Sequence, residues 1–213
     1  MSYDRYTSAF CSGDFMTFTK SRFVDFDEYL MADPGDLPEG FYEYWNGELV
    51  PIMSESIGND AIANFIFLML IQIGVPIKLI RPHSCEIAVP GKPRTRLPDL
   101  TVLDEIHLTL LKKRATITQM MPPPRIVMEV VSPGNETSDN YLRDYRDKPD
   151  QYAAIGIPEF WRIDPEREWV QVGTLVNAVY QFRTFRGQET IISPLLEPLT
   201  LNLTVAQVLE AGE

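Results

Sequence analysis

The 213-residue sequence holds only two cysteines, Cys11 and Cys85, and two histidines, His83 and His107. Two cysteines cannot build a disulfide framework, and there is no CxxC pair, so a reducing compartment is the expected setting. The histidines share no ligand spacing with the cysteines, so a zinc site is not expected. Long apolar runs are also missing. The longest, Ala61 to Ile71, contains Asn64 and is too short to span a bilayer; it reads as a buried helix. The N-terminus has no basic stretch followed by an apolar one, so it does not read as a signal peptide. A cytoplasmic chain without a membrane partner is expected. Positive charge is scarce: 19 Lys and Arg stand against 30 Asp and Glu, a net −11. That argues against a protein that coats nucleic acid with a broad basic surface. It still allows an enzyme that confines a few cations to a cleft.

The chain shows no internal repeat, low-complexity tract or linker. Residues 1–20 are polar and aromatic without a period and read as an N-terminal arm. Residues 21–213 read as one domain, long enough to bury a sizeable core. Apolar residues at Phe23, Phe26 and Leu30 predict a short amphipathic helix over 22–32, ended by Asp33-Pro34-Gly35. Asn46-Gly47 between Phe41–Trp45 and Glu48–Met53 predicts a tight hairpin, because a type I′ turn needs positive φ at both central residues. Ser56 to Ile73 reads as a long buried helix terminated by Gly74. Strands are expected over 77–80, 85–89 and 95–103, with Pro90-Gly91 as a turn, and a short helix within 105–124. Arg125 to Val131 is an apolar, β-branched run that reads as a central strand buried on both faces. A helix over 138–154 ends at Gly156, and Pro149 inside it should kink it or mark a new start. Strands follow over 159–163, 169–176 and 179–185. Thr204 with Gln207 forms a capping box for a last helix to Glu210. The fold class is α/β (α+β): one mixed sheet with a long helix on one side and a second helix on the other.

Two acids stand out. Glu129 sits in the middle of the apolar strand, where an ionised carboxylate is costly without a partner. Its bland alternative is a half-exposed strand position or an arginine partner. Asp99 follows Pro98, which favours extended geometry before it; alone, it reads as a turn or strand-start residue. Together, on neighbouring strands, they could share a hard cation such as Mg²⁺, which takes one or two carboxylates plus waters and phosphate oxygens. Such a cation activates water and offsets charge at a phosphoryl group.

The order Pro98-Asp99 and then Glu129-Val130-Val131 resembles the PD-(D/E)XK nuclease superfamily, except that Val131 stands where that pattern has lysine. Glu129-Val130-Val131-Ser132-Pro133 is followed by Asp144, Lys148 and Tyr152 at four-residue steps. Gly156 to Trp161 and Ile163-Asp164-Pro165 come next. With the upstream Asn46-Gly47-Glu48-Leu49-Val50, these motifs resemble the Uma-type branch of restriction-endonuclease-like proteins over about residues 20–210. In that branch the catalytic lysine lies on the helix after the Glu strand, where Lys148 falls here. The chain departs from the branch at Asn59 and Asp60, where a histidine is common, and at Pro149.

The resemblance implies a restriction-endonuclease-like mixed sheet and a Mg²⁺- or Mn²⁺-dependent DNA endonuclease. Asp99 and Glu129 would bind metal, with the carbonyl of Val130. Lys148 would position water or stabilise the phosphate, and Glu48 would orient the site. Arg94 and Arg96, flanking the Asp99 strand, are the phosphate-contact candidates. A homodimer is expected, since cutting both strands of a duplex favours two sites. Two alternatives stay open. One is a nuclease-fold binding or assembly protein, favoured by the acidic charge and by Asn59 and Pro149. The other is a hydrolase of RNA or of a smaller phosphoester. The bland reading of Lys148 is a helix-surface pair with Asp144. Tyr152, Phe160, Trp161 and Trp169 read as packing residues, and Lys112-Lys113-Arg114 as a solvated face.

Overall fold

The computed structural model describes residues 23–52 and 56–213; the expected arm and Cys11 lie outside the described residues. The first helix, α1 (Phe26–Met31), starts where the Asp25 side chain accepts the Glu28 N–H at 2.8 Å. Strands β1 (Tyr42–Trp45) and β2 (Glu48–Pro51) form the expected hairpin, with Asn46 and Gly47 at φ +46° and +89°. Directly opposed residues share a face. Tyr44 and Leu49 therefore face inward together, packing on Phe26 and Tyr29, while Glu43 lies on the other side.

Ser56 caps the long helix α2 (Ile57–Gln72) by accepting the Asn59 N–H at 3.1 Å, and Gly74 follows its end at φ +100°. Next come β3 (Ile80–Pro82), β4 (Glu86–Ala88), β5 (Thr95–Arg96) and β6 (Leu100–Val102), then α3 (His107–Leu110) and β7 (Thr116–Ile117). The central strand β8 (Ile126–Val130) is buried at every position. After it, α4 (Asp139–Leu142), a π-helical turn at Arg143–Asp147 and α5 (Lys148–Ala154) run head to tail. The chain closes with β9 (Glu159–Asp164), β10 (Trp169–Val176), β11 (Val179–Arg186) and α6 (Val205–Glu210), whose Thr204–Gln207 capping box forms as expected.

Six strands make the main sheet in the order β11-β10-β9-β8-β6-β3, with β8 and β9 parallel and the other pairs antiparallel. Alternate residues of β8 serve opposite faces. Ile126, Met128 and Val130 join the core under α2, while Val127 joins Tyr152, Ile157 and Phe160 on the α5 side. This is the expected mixed α+β sheet between helices. No described helix is long and apolar enough to cross a membrane.

The structure differs from the sequence reading in three places. The expected strand over 95–103 is two strands in different sheets. Pro98 has no N–H to continue a ladder, so β5 joins a separate three-stranded sheet, β5-β4-β7, and β6 joins the main one. Residues 77–79 form a 3₁₀ turn ahead of β3. The helix over 138–154 contains the π turn just before Pro149. A proline here removes an N–H and crowds the carbonyl four residues back. The wider turn accommodates this: the Lys148 N–H reaches back five residues to the Arg143 carbonyl.

Candidate active site

The β6–β8 register pairs Leu100 with Met128. One step further it sets Asp99 opposite Glu129, so both acids lie on the α5 face where the two strands part. The β3–β6 register pairs Pro82 with Leu100, and the same step sets His83 opposite Asp99. The three side chains thus meet at one end of the sheet for reasons of pairing alone. Asp99 is fixed there because its Oδ2 accepts the Val130 N–H at 2.6 Å. Glu129 is only 2% exposed and needs compensation.

Lys148 supplies it. Its Nζ lies 2.8 Å from Glu129 Oε2 and 3.0 Å from Asp144 Oδ1. Burial works against this ammonium, but Asp144, Glu129 and Asp99 outweigh that effect and hold its pKa above the ordinary lysine value. Burial also opposes ionisation of Asp144, yet Lys148 and Arg143 bring its pKa below the usual range. The other oxygen of Glu129, Oε1, accepts from the Tyr152 hydroxyl at 2.5 Å. Burial, then the charge of Glu129, push that phenol well above its normal pKa.

Asp99, Glu129 and Lys148 border a cleft of about 350 Å³ whose wall also includes Glu43, Asn59, Arg96 and Arg143. Arg96 is 2% exposed. Its guanidinium donates to Glu43 at 2.7 Å and to Gln151 at 2.8 Å. Arg143 donates to the Ser132 hydroxyl at 3.0 Å, beside Asp144.

Of the residues singled out in the sequence, Asp99, Glu129, Lys148 and Arg96 come together at this cleft, with Val130 anchoring Asp99 from behind. Arg94 does not join them. It is exposed and lies over the Phe26 ring at 4.2 Å. Glu48 shares a hairpin face with Glu43, but it sits at the turn end and Glu43 is the acid that lines the cleft. Tyr152, read as a packing residue, also hydrogen-bonds Glu129, and the Asp144–Lys148 pair read as a helix-surface contact is buried in the site.

His83 was missed. Its N–H donates to the Asp99 carbonyl at 3.0 Å, its Nδ1 is 3.7 Å from Asp99 Oδ1 and its Nε2 is 3.3 Å from Asp60 Oδ1. The last pair is close but poorly aligned for a hydrogen bond. No local sequence signal marks it: its place depends on the β3–β6 register, and its φ of +44°, which few non-glycine residues adopt, is seen only in the fold. The other histidine, His107, is buried between Asp104 and the Pro122 carbonyl, away from the cleft.

The donor chemistry fits a hard divalent cation. Asp99 and Glu129 offer carboxylate oxygens at an open cleft, which suits Mg²⁺ or Mn²⁺ with waters completing the shell. Among the described residues no group of three or more His, Cys, Asp or Glu side chains is placed to hold a metal ion unaided.

The profile of the Uma2 family, described as "Putative restriction endonuclease", matches residues 25–206. A crystal structure of a "putative nuclease belonging to DUF820" from Anabaena variabilis superposes with a TM-score of 0.60 at 16% identity, over 88% of this chain and 98% of the other. At that identity the likeness shows the fold. No curated protein matches.

Proposed function

From the chain's membership of the Uma2 family of restriction-endonuclease-like proteins, we propose that it is a Mg²⁺- or Mn²⁺-dependent endonuclease that hydrolyses phosphodiester bonds in DNA. One observation carries this reading. Pairing register and a helix turn bring Asp99, Glu129 and Lys148, from three separate stretches of sequence, to a single cleft.

Asp99 and Glu129 hold the cation, with the Val130 carbonyl as the third protein oxygen. A cation bound there supplies Lewis acidity toward the scissile phosphate and a water of lowered pKa. Lys148 holds its proton throughout and places a positive charge beside the phosphate as negative charge grows on it. Arg96 and Arg143 contact phosphate from the cleft wall, and Arg94 does so outside it. Glu43 orients Arg96, whereas Glu48 was expected to orient the site as a whole. Two copies of the chain, one per strand, form the cutting unit, and the protein works in the cytoplasm.

A second reading is a nuclease-fold binding or assembly protein. The fully satisfied Lys148–Glu129–Asp144 network favours it, because such a network can be structural. Titrating Mn²⁺ into wild type and Asp99→Ala by calorimetry, with supercoiled-plasmid nicking on the same samples, separates the two. The nuclease reading expects binding in wild type, loss in the variant and nicking that follows binding. Absent binding and absent nicking would leave the assembly reading.

A further inference from the structure

We propose that Tyr152 is a positioning residue that commits Glu129 to offer a cation one oxygen only. The carboxylate of Glu129 has two distinct sides. Oε1 is turned toward Tyr152, a fully buried side chain packed among Phe160, Ile157 and Val127. Its hydroxyl reaches Oε1 at 2.5 Å. Oε2 is turned toward Lys148, which lines the cleft and keeps some solvent exposure. The inner oxygen therefore belongs to the protein interior, and the outer one to the cleft.

Lys148 has a second partner in Asp144, so its ammonium can leave Oε2 without becoming unpaired. Tyr152 has no such freedom. It sits on α5 one turn beyond Lys148, with its ring tilted against Phe160 at 5.5 Å. When a cation takes the place of Lys148 on Oε2, Tyr152 still holds Oε1. The carboxylate cannot then rotate to present both oxygens.

The consequence is selectivity. Small cations such as Mg²⁺ accept single oxygens in a strict octahedron, whereas Ca²⁺ gains from bidentate carboxylates and higher coordination. Tyr152 thereby disfavours Ca²⁺. This inference rests on Asp99 and Glu129 being the cation ligands, so the test must separate failure of that reading from failure of this one.

The experiment compares Mg²⁺ and Ca²⁺ affinity by calorimetry in wild type and Tyr152→Phe, with Asp99→Ala as the blank. Losing an outer-shell partner is expected to weaken Mg²⁺ binding by about tenfold. Ca²⁺ should lose less, so the Ca²⁺-to-Mg²⁺ affinity ratio should rise by about threefold or more. A general loosening of the fold would weaken both cations alike and leave the ratio unchanged; an unchanged ratio overturns the proposal. No Asp99-dependent binding in wild type would overturn the ligand reading and this inference with it.

A second measurement does not depend on Tyr152→Phe folding. The infrared difference spectrum of wild type on Mg²⁺ addition, with Glu129→Gln identifying that residue's bands, should show the widened carboxylate splitting of one-oxygen ligation. A narrowed splitting would overturn the proposal.

Discussion

Lys148 is where charge, burial and candidate chemistry meet, so removing it tests more than one idea. Its side chain is 13% exposed and balances two nearly buried carboxylates. Breaking a buried ion pair from one side leaves the other charge uncompensated, at a cost of about 3–5 kcal/mol. Lys148→Ala should therefore lower stability by about 3 kcal/mol in urea unfolding. Lys148→Met with Glu129→Gln should cost clearly less, because the carboxylate of Glu129 is gone and Asp144 keeps Arg143 as its partner. Equal losses would mean that the network matters little to the fold.

The pH dependence follows from the same contacts. Asp144 has a folded pKa below its ordinary 3.8, so its contribution is present above that value and fades as pH falls through the folded one. Lys148 is raised above 10.5, so its contribution is complete below that value and fades only as pH climbs through the folded one. Acid sensitivity thus belongs to the carboxylate. Asp144→Asn should be less stable than wild type at neutral pH, and its urea midpoint should fall less steeply below about pH 4. Parallel midpoint curves for the two proteins would refute this.

At the scale of elements, the turn before Pro149 links the helix to the sheet. Pro149 leaves the Tyr145 carbonyl without its usual helical donor. Arg162 of β9, which the sheet register places beside Glu129, donates to that carbonyl and to the Asp144 carbonyl, each at 3.3 Å. Its guanidinium also lies over the Tyr145 ring at 4.0 Å. Arg162→Leu should strand buried carbonyls and cost about 2 kcal/mol. In a Pro149→Ala background, where residue 149 regains an N–H, the same change should cost about 1 kcal/mol less. Purely additive costs would separate Arg162 from the proline.

Much of this was legible locally. The Asn46-Gly47 turn, the Thr204 cap and the apolar run of β8 each depend on residues within a few positions of one another. What required pairing between distant strands was not legible. The division of residues 95–103 between two sheets is one case, since Pro98 shows where a ladder breaks but not what each half pairs with. His83 facing Asp99 is another, because it needs the β3–β6 register. Likewise the hairpin was plain, but whether Glu43 or Glu48 reaches the cleft depended on how the hairpin docks.

At the scale of the molecule, the net charge of −11 is hard to reconcile with a strongly cationic DNA track. The cleft holds three cationic side chains, Arg96, Arg143 and Lys148. Each is already paired with an acid: Arg96 with Glu43, Arg143 with Asp144, and Lys148 with Glu129 and Asp144. Duplex binding weakens with salt at a log–log slope of about −0.9 per phosphate neutralised. Three contacts therefore set a limit of about −3 for the cleft, and their existing partners pull the expected slope closer to zero. Fluorescence anisotropy with a short duplex, using Glu129→Gln to block cleavage, measures it directly. A slope no steeper than about −3 would mean that affinity is generated in the cleft, with little long-range attraction to bring DNA there. A slope near −6 would require a cationic surface elsewhere on the chain or on a second copy.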